Sequence, residues 1–291
     1  MPPREVLLGI DRLSHDGRGI GSVGGKTVFV ENALPGERVT ARYLRVHGQY
    51  DELEAVEIHE ASVWRVDPPC AHARVCGGCS LQHMDGDWQI RHKQQVLLDQ
   101  LAHFGGVAPD DVAPPLAGER LGYRTKARLG VKYVRKQDQV LVGFREKHSR
   151  FLTAIGSCPV LVPAIGNHIE DLRHLLRGLS IFAEVPQIEV AFGDDRGALI
   201  IRHMQSFSVA DLDRLRAFGE ELGVAIHLQP GGPDSVNCLY SPWGEGDLRY
   251  AATGDCSLEF SPTDFTQINL QVNRLMVRQA VEWLEPRAQD E

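Results

Sequence analysis

The sequence predicts a mainly β fold with a few helices, of the α+β class. Three observations carry that expectation. Residues 5–60 are short strand-like runs punctuated by glycine, a second group of strand-like runs spans residues 121–260, and helical periodicity is confined to a few stretches. With 291 residues, 43% apolar and 24% charged, the chain has room for two or three domains that each bury a core.

In the first region, VLLGIDRLS, GIGSVGGKTVFVEN, ERVTARYLRV and LEAVEIHEAS read as strands, and HDGRG, VGGK and ALPGE read as the turns between them. Several short strands at regular spacing fit a small β-barrel. The segment GDWQIRHKQQVLLDQLAHFGG then reads as a helix over residues 87–104. Asp87 is the expected N-cap, Ile90, Leu97, Leu101 and Phe104 lie near one face, and Gly105–Gly106 is the stop. APDDVAPPLAGER is a Pro-rich connector without a regular element.

From Leu121 to Val142 the pattern is again strand-like. In GYRTKARLGVKYV, Arg124, Lys126, Arg128 and Lys132 share one parity, so an extended strand puts all four cations on one face, opposite Tyr123 and Tyr133. Such a face suits a phosphate backbone, and equally an ordinary solvated surface. VGFREKHSR adds cations in a turn-like context, and FLTAIGSCPV follows. Ile165, Ile169, Leu172, Leu176 and Leu179 predict one amphipathic helix over 162–179. QIEVAF and ALIIRHM, joined by GDDRG, predict a hairpin. GVAIHLQP and Asp247–Phe260 supply more strand, and a closing helix over Val272–Leu284 should stop at Pro286.

The net charge of −8 is unevenly spread. Residues 1–60 carry −3, residues 61–160 carry +5 and residues 161–291 carry −10. Ten basic residues fall within 120–150, opposed only by Asp138 and Glu146. A basic segment on an acidic chain is a local footprint for a nucleic acid. The N-terminus has no signal-peptide pattern and no apolar run approaches the roughly 20 residues of a membrane span, so a cytoplasmic protein with no membrane partner is expected. In that compartment clustered cysteines are metal ligands or catalytic groups before they are disulfides.

The cluster is CAHARVCGGCSLQH, with Cys70, Cys76 and Cys79 spaced C-x5-C-x2-C around a Gly-Gly pair. Spacing leaves an iron–sulfur cluster, zinc, and structural or redox thiols open, and the fourth ligand open among Cys158, Cys238 and Cys256. His72 and His83 are read as bystanders.

Four segments resemble the S-adenosylmethionine-dependent bacterial uracil-5 methyltransferases of 23S ribosomal RNA. DGRGIGSVGGKTVFVENALPGERV resembles their OB-like TRAM barrel, and CAHARVCGGCSLQH their cluster motif. YRTKARLGVKYV with VGFREKHSR and GSCPVL resembles their central β-domain, and FSPTDFTQINLQVN the start of their Rossmann-like catalytic domain. The resemblance implies a TRAM domain over residues 1–61, a central iron–sulfur domain over 62–257, and only the first helix of a methyltransferase domain over 258–291. It implies a [4Fe–4S] cluster on Cys70, Cys76, Cys79 and Cys158, S-adenosylmethionine contacted by Gln267, and Phe265 beside the target base. Arg124, Lys126, Arg128 and Lys132 are the expected RNA contacts. The partner implied is 23S ribosomal RNA, bound by a monomer.

In that family a cysteine thiolate adds to C6 of the uracil, C5 takes the methyl group, and a base removes the C5 proton. The sequence departs here: residues 258–291, where the cofactor loop would follow, hold no G-x-G-x-x-G, and no cysteine stands in a nucleophile context. The expectation is a truncated chain, inactive alone, whose nucleophile and general base lie beyond residue 291. The alternative is a stand-alone iron–sulfur or zinc RNA-binding protein. A radical enzyme with a TRAM domain has a C-x3-C-x2-C motif and a C-terminal TRAM, and neither is present.

Overall fold

A computed structural model describes residues 4–254 and 256–287, so the outer ends of the expected 1–61 and 258–291 segments lie outside the described residues. The chain divides within the Pro-rich connector into two compact units, one over Met1–Pro115 and one over Leu116–Glu291.

The first unit begins with six strands: β1 (Glu5–Gly9), β2 (Arg12–Leu13), β3 (Gly19–Val23), β4 (Lys26–Glu31), β5 (Arg38–Val46) and β6 (Tyr50–Glu60). They form one sheet in the order β1-β5-β6-β4-β3-β2, antiparallel except for the parallel pair β4–β6. Alternation of inward and outward residues builds its core from Leu8, Ile10, Val28, Val30, Val39, Ala41 and Leu53. The sheet curls on itself where β3 passes β1. A Cβ on Gly21 would lie 2.5 Å from the Gly9 carbonyl oxygen, so only glycine permits this approach. The expected turn ALPGE is a tight reversal in which Gly36 takes φ 80° after Pro35, and the Glu37 N–H donates to the Leu34 carbonyl at 3.2 Å.

Helix α1 (Gly86–Gln100) continues as a π-helical turn over Leu101–Gly105, and Gly106 in the left-handed region ends it. Its N-cap is Asp85, whose carboxylate accepts the N–H groups of Asp87 and Trp88, and not the expected Asp87. None of its residues is buried, and Leu97 and Phe104 are exposed. The expected packing stripe therefore has no core beneath it among the described residues of this unit.

The second unit holds β7 (Lys126–Val134), β8 (Gln139–Gly143), β9 (Gln187–Phe192), β10 (Gly197–Arg202), β11 (Ala225–Gln229) and β12 (Asn237–Tyr240) in the sheet order β12-β11-β10-β9-β7-β8. The predicted β9–β10 hairpin is present in antiparallel register from Gln187↔Arg202 to Phe192↔Gly197. One face packs on helices α2 (Pro163–Gly166), α3 (Ile169–Arg177) and α4 (Val209–Leu222) through Leu129, Val131, Ile188, Val190, Leu199 and Leu215. The single helix expected over 162–179 is thus two. Gly166 and Asn167 are poor helix formers and end α2 before α3 begins, yet all five stripe residues are buried as expected. The other face carries Ala191, Ala198 and Ala225 under the hairpin of β13 (Leu248–Thr253) and β14 (Cys256–Phe260). Helix α5 (Leu270–Leu284) packs on β13. No described helix is long and apolar enough to cross a membrane.

Candidate functional site

The cysteine segment in the first unit is a loop with pinned ends. Arg65 and Met84 form an antiparallel bridge, and the Val66 N–H donates to the His83 carbonyl at 3.0 Å. Trp64 stacks on Trp88 with ring centres 4.0 Å apart. Inside the loop the Cys76 N–H donates to the His72 carbonyl at 2.8 Å, and the Arg74 guanidinium reaches back to the Ala55 carbonyl of β6 at 2.7 Å. Cys76 is buried, while Cys70 and Cys79 are half-buried.

The Gly78 N–H points at the Cys76 sulfur, 3.4 Å away, which is the contact that favours a thiolate. The donor chemistry therefore fits a thiophilic metal or cluster. Among the described residues, however, no three His, Cys, Asp or Glu side chains converge as a metal-holding group. Cys158 lies in the second unit, half-buried, with its N–H donating to the Gly166 carbonyl at 2.8 Å. Cys238 and Cys256 are exposed on β12 and β14.

In the second unit the segment 261–269 runs from β14 into α5 and is stitched to β7. The Thr125 N–H and hydroxyl both donate to the Ile268 carbonyl, at 3.0 and 3.2 Å. Arg124 pairs with Asn269 in an antiparallel bridge, and the Asn269 side chain caps α5 by accepting the Val272 N–H at 3.0 Å. The Asp264 carboxylate accepts the Ser261 N–H at 2.8 Å, closing a turn. Alternation along this strip buries Thr266 and leaves Phe265, 84% exposed, and Gln267 outward. Phe265 and Gln267 are therefore presented together, on a backbone held from beneath.

The expected one-sided face of β7 exists. Lys126, Arg128 and Lys132 alternate with the buried Ala127, Leu129 and Val131. Arg124 precedes the strand, because it bridges to Asn269 and Leu161 instead of extending the ladder. Several of these cations have internal partners. Lys126 donates its ammonium to the Asp264 carbonyl, Arg128 pairs with Glu189 at 3.1 Å, and Arg124 lies 5.9 Å over the Phe144 ring. Burial, with Arg128 beside it, lowers the Lys126 pKa from its ordinary value against the opposing pull of Glu189 and Asp264.

Loss of this anchor gives a local prediction. Lys126→Met should raise amide hydrogen exchange in residues 262–268 by about tenfold, the loss of one charge-assisted hydrogen bond of about 1.4 kcal/mol, while β9 and β10 stay protected. Unchanged exchange in that strip would show that Lys126 does not hold it.

Sequence reasoning did not find Lys126 as an anchor, since parity reports a face and not a partner 138 residues away. It also missed α4, whose signal is legible as Ser208-x-x-Asp211 at the start and Gly223 at the end.

Residues 3–52 match the TRAM domain family. The TRAM match ends inside β6, so it covers most of the curled sheet and leaves the cysteine loop outside it. Beyond the TRAM region the likeness continues. Over 99% of its length the chain is 51% identical to the 23S rRNA (uracil(1939)-C(5))-methyltransferase RlmD of Hahella chejuensis, covering 65% of that protein. The proteins of the same name from Alcanivorax borkumensis and Nitrosococcus oceani are 48% and 47% identical, with 64% and 62% of their lengths covered. The chain thus spans just under two thirds of the length of the curated relatives it matches.

A solved structure, the tRNA (uracil-54, C5)-methyltransferase of Pyrococcus abyssi in complex with S-adenosyl-L-homocysteine, superposes with a TM-score of 0.66 at 21% identity. The match covers 94% of this chain and 64% of that one, and is a likeness of fold.

Proposed function

We propose that this chain is the RNA-recognition part of an S-adenosylmethionine-dependent uracil-C5 methyltransferase of 23S ribosomal RNA, working as a monomer in the cytoplasm. The observation that carries the reading is the 51% identity sustained over 99% of the chain. The TRAM match and the outward pair Phe265 and Gln267 support it. Phe265 offers an aromatic face on which an extruded uracil stacks. Gln267, two residues on and on the same side, is the S-adenosylmethionine contact.

Cys70, Cys76, Cys79 and Cys158 are the proposed ligands of a [4Fe–4S] cluster, whose four iron sites thiolates alone can complete. The two remaining cysteines do not serve as nucleophile. Partial desolvation raises the Cys238 thiol pKa, against a backbone hydrogen bond to Tyr240, and this opposes thiolate formation. Cys256 is exposed at the first residue of β14.

The test has two parts. The 291-residue chain should retain an unmodified 23S rRNA fragment on a filter, yet transfer no labelled methyl group from S-adenosylmethionine to it. Turnover would overturn the assignment of the nucleophile, and absence of RNA retention would overturn the reading itself. Anaerobic purification should give a brown protein with charge-transfer absorption that Cys79→Ser removes. A colourless protein with stoichiometric zinc would instead favour a zinc-holding RNA-binding module.

A further inference from the structure

The hairpin that follows β8 carries charge that the proposed site does not use. Its arms are closed by Thr153 N–H to Phe144 carbonyl at 2.8 Å and Glu146 N–H to Phe151 carbonyl at 3.0 Å, with an Arg145–Leu152 bridge between them. Its tip is set by Ser149, whose hydroxyl donates to the Glu146 carboxylate at 2.6 Å and accepts the Phe151 N–H at 3.0 Å. The one acidic side chain of the tip is therefore turned to an internal role.

What remains outward is basic and aromatic. Arg145 and Arg150 are exposed, Lys147 is half-exposed, and the Phe151 ring is 60% exposed. Among the described residues neither Arg145 nor Arg150 forms an ion pair. This contrasts with Arg128 and Lys126 of β7, both engaged within the unit. It also contrasts with residues 161–291, which carry a net charge of −10. A large apolar ring exposed in the same short hairpin as three cations has no core to join. A nucleobase and its flanking phosphates supply both of the contacts it lacks.

We propose that the hairpin tip Arg145–Phe151 is an RNA-gripping arm, with Phe151 stacking on an unpaired base while Arg145, Lys147 and Arg150 contact the phosphates around it. This rests on the reading that the chain binds RNA, and deepens it by placing part of the grip outside the TRAM region. The hairpin is braced at its root, where Arg124 lies over Phe144 and also pairs with Asn269 at the start of α5.

The test is equilibrium binding of the 291-residue chain to a single-stranded RNA oligonucleotide and to its duplex, across a salt series. The triple variant Arg145→Gln/Lys147→Gln/Arg150→Gln should lower the slope of log affinity against log salt by about 2, at roughly 0.7 per single-strand phosphate contact. Phe151→Ala should weaken single-strand binding by roughly five- to hundredfold at every salt concentration, with the slope kept, as one lost base–aromatic stack does. Arg216→Gln on α4, a cation paired with Asp213, should leave both measures unchanged.

A wild-type slope in the triple variant, with wild-type RNA binding intact, overturns the arm and leaves the RNA-binding reading standing. Equal loss on single strand and duplex for Phe151→Ala overturns the stacking role. Failure of the unaltered chain to bind either RNA overturns both the arm and the reading beneath it.

Discussion

Arg65→Ala is expected to destabilise the first unit by about 3–5 kcal/mol, because it leaves the buried Glu37 carboxylate without its counter-ion. Glu37 is 1% exposed and accepts the Leu34 N–H at 2.8 Å, the Ser62 N–H at 3.2 Å and the Arg65 guanidinium at 2.7 Å. Arg65 also donates to the Asn32 carbonyl at 2.8 Å, so the pair ties the ALPGE turn to the root of the cysteine loop. Burial pushes the Glu37 pKa up, but the hydrogen bonds from Arg65, Leu34 and Ser62 outweigh it and hold the carboxyl below its ordinary value of 4.5. A depressed carboxyl contributes stability that is fully present above its ordinary value and is lost as pH falls through the folded one.

Without Arg65 the hydrogen bond and charge that oppose burial most directly are gone, so the folded Glu37 pKa should rise and the acid-unfolding midpoint move to higher pH. Urea unfolding at neutral pH, with an acid titration followed by circular dichroism, reads both effects. A loss below about 1 kcal/mol would mean that the pair is screened as a surface ion pair is. Replacing both partners by apolar residues, Glu37→Leu with Arg65→Met, should recover much of the loss, since no charge is then stranded.

In the second unit the largest single effect is expected at Asp211. This carboxylate is fully buried and accepts four donors: the Ser180 N–H at 2.8 Å, the Ser180 hydroxyl, the Ser208 N–H at 3.1 Å and the Ser208 hydroxyl at 2.8 Å. With Ser208 it forms a capping box for α4, and through Ser180 it fastens that helix to the segment after α3. Burial raises its pKa, and the serine hydrogen bonds outweigh this to bring it down to about 2.

Asp211→Ala removes the reciprocal half of the capping box and the charged acceptor of the Ser180 and Ser208 donors, at a cost of about 2–4 kcal/mol. By the same sign argument, the wild-type contribution is complete above the ordinary value of 3.8 and fades as pH falls toward about 2. The Ala variant should therefore lose less stability than the wild type over that window. Parallel acid titrations would refute this if the two curves ran together.

Elements with a strong local signature were legible in the sequence. The strands of the first sheet, the β9–β10 hairpin and the Ile165–Leu179 stripe follow from alternation, turn residues and helical spacing, and the stripe buries all five of its residues. The misreadings fall where a partner far along the chain decides the outcome. Asp85 took the cap from Asp87 because the chain enters α1 from the Arg65–Met84 bridge, which hydropathy does not reveal. Periodicity placed Leu97 and Phe104 on one helical face, but only tertiary structure says whether anything covers that face. The cations of β7 were legible as a row, whereas their engagement with Glu189 and the Asp264 carbonyl was not. The cysteines give their donor chemistry in sequence, while convergence is a matter of geometry alone.

Thr125 has a consequence for how tightly anything can be held at Phe265 and Gln267. It donates twice to the Ile268 carbonyl, and its own carbonyl accepts the Phe192 N–H at 2.9 Å, so the strip is fastened through one residue to the buried sheet. A loop that must order itself on meeting a ligand gives up about 1–2 kcal/mol of backbone entropy per residue at that moment. Here the ordering is completed during folding, before any encounter. A ligand taken up as proposed at Phe265 and Gln267 would meet a preorganised surface, and its contact energy would not be drained into immobilising the backbone.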